Sequence, residues 1–152
     1  MASSHTLAQA VTTEILRAHG LFDAFLNTSP DRIWSIEIRP KEGATTGFSL
    51  PLIIAREGSM VRLASYTVST YDVDYDPVLE FEVISINWRI ASLYRFHTGT
   101  CVFAETDDRT EADAFAAQWC EVLLERGYSD VSQGEIVWLS GGGDGQDVRA
   151  RL

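Results

Sequence analysis

Positive charge is scarce in this chain. Lys and Arg number 12 against 22 Asp and Glu, a net charge of −10, and the basic residues are scattered without a run or stripe. A phosphate backbone is repelled by such a field unless a local basic patch overrides it, so no direct nucleic-acid binding is expected. Long apolar runs are absent too. None approaches the ~18 residues of a spanning helix, so no membrane association is expected. The first residues show neither a basic n-region nor an apolar h-region, which predicts no signal peptide and a cytoplasmic location. Cysteine is limited to Cys101 and Cys120. They form no C-x-x-C pair and have no histidine pattern beside them, so a zinc site is not suggested. Two small buried thiols are expected, and the sequence does not decide whether they pair.

What remains is an ordinary globular composition. With 45% hydrophobic and 22% charged residues the chain resembles an average folded domain rather than a disordered one. A chain of 152 residues fits one domain and buries about 68–70% of its unfolded surface, enough for a core without staples. The expected domain covers residues 1–139. Residues 140–152 open with Ser140-Gly141-Gly142-Gly143-Asp144-Gly145, a flexible Gly-rich tail by composition.

Periodicity assigns the elements. Leu7, Val11, Ile15 and Ala18 recur at helical spacing, predicting a helix from Ser4 to His19 that Gly20 stops. Leu21 to Leu26 reads as a short helical turn. Trp34, Ile36 and Ile38 then alternate with polar residues, as in a half-buried strand. Phe48–Arg56 is a dense apolar run in which Pro51 suggests a sheet edge, one that pairs across a homodimer if the chain dimerises. Glu57-Gly58-Ser59 is a tight turn into Met60–Val68. Val78–Ile86, Trp88–Phe96 and Cys101–Glu105 follow as strands joined by short turns, an antiparallel meander. The second helix begins near Asp108 or Thr110, with Glu111 completing a capping box on Asp108, and ends at Gly127. Glu135–Leu139 is a final strand. The fold class expected is α+β: a curved antiparallel sheet of five to six strands, with N-terminal and C-terminal helices packed on one face.

The most unusual segment is Tyr71-Asp72-Val73-Asp74-Tyr75-Asp76-Pro77. In an extended chain Asp72, Asp74 and Asp76 share one face, and three like charges repel unless a cation or donors compensate. Hard divalent cations take carboxylate oxygens, so a metal site is one reading. An EF-hand is excluded, because Pro77 stands where the loop needs glycine and Val83 where it needs a bidentate acid. The plainer reading is a solvated acidic loop. Glu80 and Glu82 share the strand face opposite Leu79, Phe81 and Val83 and read as an exposed acidic strip rather than a catalytic pair. Gly142 to Asp147 matches the opening of a calcium nonapeptide, but Arg149 replaces the apolar residue and one copy cannot stack. His97 lies near Cys101 across a turn, with nothing to orient it as a base. His5 and His19 are expected to face solvent. The tryptophans are expected in the core, Trp88 and Trp138 being the two most exposed.

Gly47-Phe48, Pro51-Leu52, Ser65-Tyr66, Asp72, Asp76-Pro77 and Glu80-Phe81 together resemble an uncharacterised bacterial α+β domain family found largely in plasmid, phage and integrative-element proteins. The resemblance covers residues 47–83. It departs at Tyr71, where the family favours glycine, and at Val78, where it favours glutamate. The second helix with Trp119 is similar to the C-terminal helix of another uncharacterised bacterial α+β family. These resemblances imply a mobile-element protein and no particular chemistry.

The leading expectation is a non-enzymatic accessory or inhibitory factor, whose acidic patch of Asp72, Asp74, Asp76, Glu80 and Glu82 engages a basic protein partner. No cofactor is implied. The alternatives are a metal-dependent enzyme built on Asp72, Asp74 and Asp76, and a small-ligand pocket between helices and sheet lined by tryptophans.

Overall fold

The computed structural model describes residues 6–43 and 50–140. In chain order the elements are α1 (Leu7–Ala18), α2 (Phe22–Leu26), β1 (Ile33–Pro40), β2 (Leu52–Glu57), β3 (Met60–Val68), β4 (Val73–Ile84), β5 (Asn87–Arg95), β6 (Gly99–Val102), α3 (Thr110–Glu125) and β7 (Gly134–Ser140). The protein is α+β. All seven strands form one open antiparallel sheet in the order β6-β5-β4-β3-β2-β1-β7. The count exceeds the five to six expected. Strands β1 to β6 form the meander, and after α3 the chain returns so that β7 pairs with β1. The Gly-rich tail beyond Ser140 lies outside the described residues.

Local chemistry sets the helix ends. The Thr6 hydroxyl accepts from Gln9 N at 3.2 Å and starts α1. Gly20, at φ 73°, ends it, with Leu21 N bonded to Leu16 O at 2.8 Å. Only a residue without Cβ takes that left-handed conformation cheaply. Gly127, at φ 90°, closes α3 in the same way, Tyr128 N bonding Leu123 O. At the start of α3, Asp108 accepts from Thr110 N at 2.9 Å and from the Thr110 hydroxyl at 2.6 Å. The helix cap itself is Arg109, whose side chain makes no capping bond, so the expected capping box is absent.

Alternation gives the sheet an inner face. Ile36, Ile38, Ile54, Leu63, Leu79 and Phe81 are buried in one cluster with Val11, Ile15 and Leu16 of α1 and Ala116, Cys120 and Leu123 of α3. Edge-on and tilted rings fill it: Phe25 meets Trp34 at 5.4 Å and Phe81 meets Trp88 at 5.4 Å. Trp88 is 7% exposed, which corrects its expected exposure. The turn before it is tied down by Gln9, whose Nε2 donates to Ile86 O at 2.7 Å and whose Oε1 accepts from Trp88 N at 3.1 Å. Trp138 is partly buried, edge-on to Trp34 at 5.7 Å.

Two further expectations are corrected. Pro51 precedes β2, and β2 lies between β1 and β3, so the strand expected at an edge is interior. The sheet edges are β6 and β7. Along β1, Ser35 and Glu37 are buried like their apolar neighbours. Polar side chains are tolerated there because they are paired. Ser35 Oγ lies 2.8 Å from Ser140 Oγ, and Glu37 accepts from Arg39 Nε at 2.5 Å and from the Tyr66 hydroxyl at 2.8 Å. Burial first, then Glu37, pushes the Tyr66 phenol up to about 12. No helix among the described residues is long and apolar enough to cross a membrane.

Candidate functional site

Strand register defines what the other face of the sheet presents. A central row runs Ser140, Ser35, Ala55, Arg62, Glu80, Ser92, Val102 from β7 to β6. On one side of it lies Glu37, Ile53, Ala64, Val78, Tyr94, Thr100, and on the other Ile33, Glu57, Met60, Glu82, Arg89. Small side chains, Ser35, Ala55 and Ser92, therefore flank a central Arg62–Glu80 pair along this row, and larger ones stand to either side. The result is a cavity of about 560 Å³. Its lining reaches from Thr100 on β6 to Leu139 on β7, so the sheet curls around it. Leu139 enters because a bulge opposite Ser35 and Ile36 leaves it without a partner residue.

The polar centre of the cavity is an ordered ladder. Arg62 donates to Glu80 Oε2 from Nε at 3.0 Å and from Nη2 at 2.6 Å. The Ser92 hydroxyl donates to Glu80 Oε1 at 2.9 Å. The Arg62 bonds, aided by Ser92 and opposed by burial, hold the Glu80 carboxyl below its ordinary range. Glu80 is thus an engaged carboxylate, not a proton donor. Among the described residues no His or Cys lines the cavity, and the one carboxylate beside a hydroxyl, Glu80 at Ser92, is already held by Arg62. The arrangement is suited to holding a molecule, with apolar walls around a few fixed polar groups.

The expected acidic patch is divided rather than assembled. Asp72 sits in the β3–β4 turn, its Oδ1 accepting from Val73 N at 2.9 Å. Asp74 is on β4, opposite Thr67 and exposed. At Asp76, which precedes a cis Pro77, the ladder is bulged, so the alternation that would carry the aspartates' face on to Glu80 and Glu82 is broken. Asp76 accepts from Arg95 Nε at 2.8 Å, and that guanidinium lies 4.4 Å from the Phe115 ring centroid on α3. Asp76 therefore belongs to the helix side of the sheet, while Glu80 lines the cavity on the opposite face. Glu82 is bridged by Arg89 Nη2 at 2.8 Å, and Arg89 also holds Glu105 at 3.1 Å. The expected strip of bare glutamates is therefore an arginine-laced one. Among the described residues no group of three or more His, Cys, Asp or Glu is placed to hold a metal ion.

His97 and Cys101 are both exposed. Cys101 corrects the expectation of a buried thiol, because β6 is an edge strand, whereas Cys120 is buried and its thiol is pushed up to about 12 by burial. Both cysteines are free. The His19 ring turns toward α3, its Nε2 donating to Tyr128 O at 2.8 Å. His5 and the Gly142–Asp147 stretch lie outside the described residues. This cavity lies on the sheet face away from the helices, and among the described residues no tryptophan lines it.

Sequence reasoning passed over the cavity altogether. A signal existed in Ser35, Ala55, Ala64 and Ser92, small residues on the outward positions of successive strands. Reading them as one floor needs the cross-strand register, which no single strand contains. No family model, no curated protein and no solved structure matches the chain.

Proposed function

We propose that this chain is a non-enzymatic binding protein that holds a small molecule in the cavity on the open face of its sheet. The observation that carries this reading is a concavity of about 560 Å³ floored by Ser35, Ala55, Ser92 and the paired Arg62 and Glu80, and walled by Ile53, Met60, Val78, Tyr94 and Leu139. That volume falls within the roughly 300–1,000 Å³ of ordinary ligand pockets. The fold does not need the concavity for its core, which is built on the other face. Thermal unfolding against a panel of small apolar fragments tests the reading. A ligand bound only to the native state raises the midpoint by mass action. Wild type should be stabilised by members of the panel, and Ala55→Phe, which fills the floor, should not. Equal stabilisation of both proteins would reject the cavity as the site.

A second reading, a basic protein partner, is favoured by the tip of the β3–β4 hairpin. Tyr71 is 96% exposed and Val68 70%. Asp72 and Asp74 beside them have no basic partner among the described residues. Aromatic anchors ringed by charge are common where proteins meet. An accessory or inhibitory role in a mobile element rests on the resemblance of residues 47–83 alone. Charge reversal is the test: Asp72→Lys with Asp74→Lys should abolish a salt-sensitive association with a basic protein. Association indifferent to the reversal would remove this reading.

A further inference from the structure

We infer that the molecule held in the open-face cavity is a hydrophobic amine, an apolar body carrying one positive charge. The inference rests on the reading of that cavity as a ligand site. Among the described residues three charged side chains line it: Glu57, Arg62 and Glu80. Two of them cancel. Arg62 spends Nε and Nη2 on Glu80 Oε2, and Ser92 fills the other oxygen. An anionic ligand would have to compete with Glu80 for that guanidinium while entering the field of a chain with net charge −10.

Glu57 is different. It ends β2 at the rim of the cavity, is exposed, and has no basic partner among the described residues. The cation next to it in sequence is committed elsewhere. Arg56 donates from Nε to Gly58 O at 3.1 Å, and its guanidinium lies 5.5 Å from the Phe25 ring centroid on the helix side of the sheet. Among the described residues the cavity thus presents one carboxylate whose charge is uncompensated, beside the apolar side chains of Ile33 and Met60. A ligand that buries an apolar body on the floor and leaves an ammonium at the rim satisfies both features. The overall negative field steers the same ligand inward and turns anions away.

Three probes sharing one apolar body separate the charge inference from the cavity reading: 1-naphthylmethylamine, 1-naphthalenemethanol and 1-naphthoate. Calorimetric titration at low salt is performed on wild type, Glu57→Gln and Ala55→Phe, with circular dichroism to verify folding. Ile53→Trp, which fills the same cavity from its wall, takes the place of Ala55→Phe if that variant does not fold. The amine should bind wild type about fivefold more tightly than the alcohol, the contribution of an exposed ion pair, and the carboxylate should bind most weakly. Glu57→Gln should bring the amine down to the alcohol and leave the alcohol unchanged. An amine no better than the alcohol, or an advantage that survives Glu57→Gln, overturns the charge inference. In that case binding that still disappears in the filled variant leaves the cavity reading standing. Binding of none of the probes to wild type overturns both.

Discussion

Ile53 and Ile54 are neighbours on β2 whose side chains leave opposite faces of the sheet. Ile54 is 0% exposed, sits between Ile36 and Leu63 and belongs to the core cluster. Ile53 sits between Glu37 and Ala64 and lines the cavity. Truncating each to alanine removes the same atoms from two different surroundings. At Ile54 the loss is about 0.8 kcal/mol per buried methylene plus the term for a sealed void, which brings Ile54→Ala to about 2–5 kcal/mol. At Ile53 the removed atoms border space that is already open, so no new void is sealed and the cost should be about 1 kcal/mol. Equilibrium urea denaturation of the two variants measures the difference, with an unchanged denaturant slope as the check that both remain two-state. Equal costs, or a larger cost at Ile53, would mean that the open face is packed as a core face is. The separation of a stabilising face from a ligand-holding face would then be wrong.

Three other outcomes follow from the same geometry. Glu80 is held below its ordinary value of 4.5 by Arg62, so the stability it contributes is present above 4.5 and is lost as pH falls through its lower folded value. Glu80→Gln should therefore lie below wild type by under about 1 kcal/mol at neutral pH, with the gap closing on acidification; a gap constant through the acid limb of urea titrations would refute the pairing. Cys101 is exposed and Cys120 is buried with its thiol pushed up to about 12, so a thiol reagent should modify Cys101 in the native protein and Cys120 only after unfolding, and native labelling of both would contradict the packing of α3. Tyr71→Ala, at the bare hairpin tip, should change the unfolding free energy by no more than about 0.5 kcal/mol, and a larger loss would show that the ring is packed rather than displayed.

The elements were legible where the pattern is local. Val11 and Ile15 gave α1, Glu57-Gly58-Ser59 gave the β2–β3 hairpin, and Gly127 gave the end of α3. Features that depend on partners distant in sequence were not. β7 reads as a terminal strand, and nothing in Gly134–Ser140 says that it pairs with β1. Ser35 and Glu37 read as a solvent face, yet Ser140 and Tyr66 bury them. Pro51 suggested an edge, but it lies just outside β2 and does not interrupt its ladders. The acidic segment looked like one site because alternation was carried through Asp76-Pro77, where the bulge breaks it. Arg62, Arg89 and Arg95, each from another strand position, then neutralise three of its five carboxylates. The cavity was hidden because concavity is a property of the register and curl of seven strands, not of any one of them.

Ligand binding in the cavity is tested most directly by methyl NMR on isoleucine- and alanine-labelled protein titrated with 1-naphthylmethylamine. Ile33, Ile53, Ala55 and Ala64 line the cavity, whereas Ile36, Ile38, Ile54 and Ile90 lie in the core beneath the helices. The structure predicts saturable shifts in the first set and a silent second set. Shifts centred on the second set, or none in the first at millimolar probe, would contradict it.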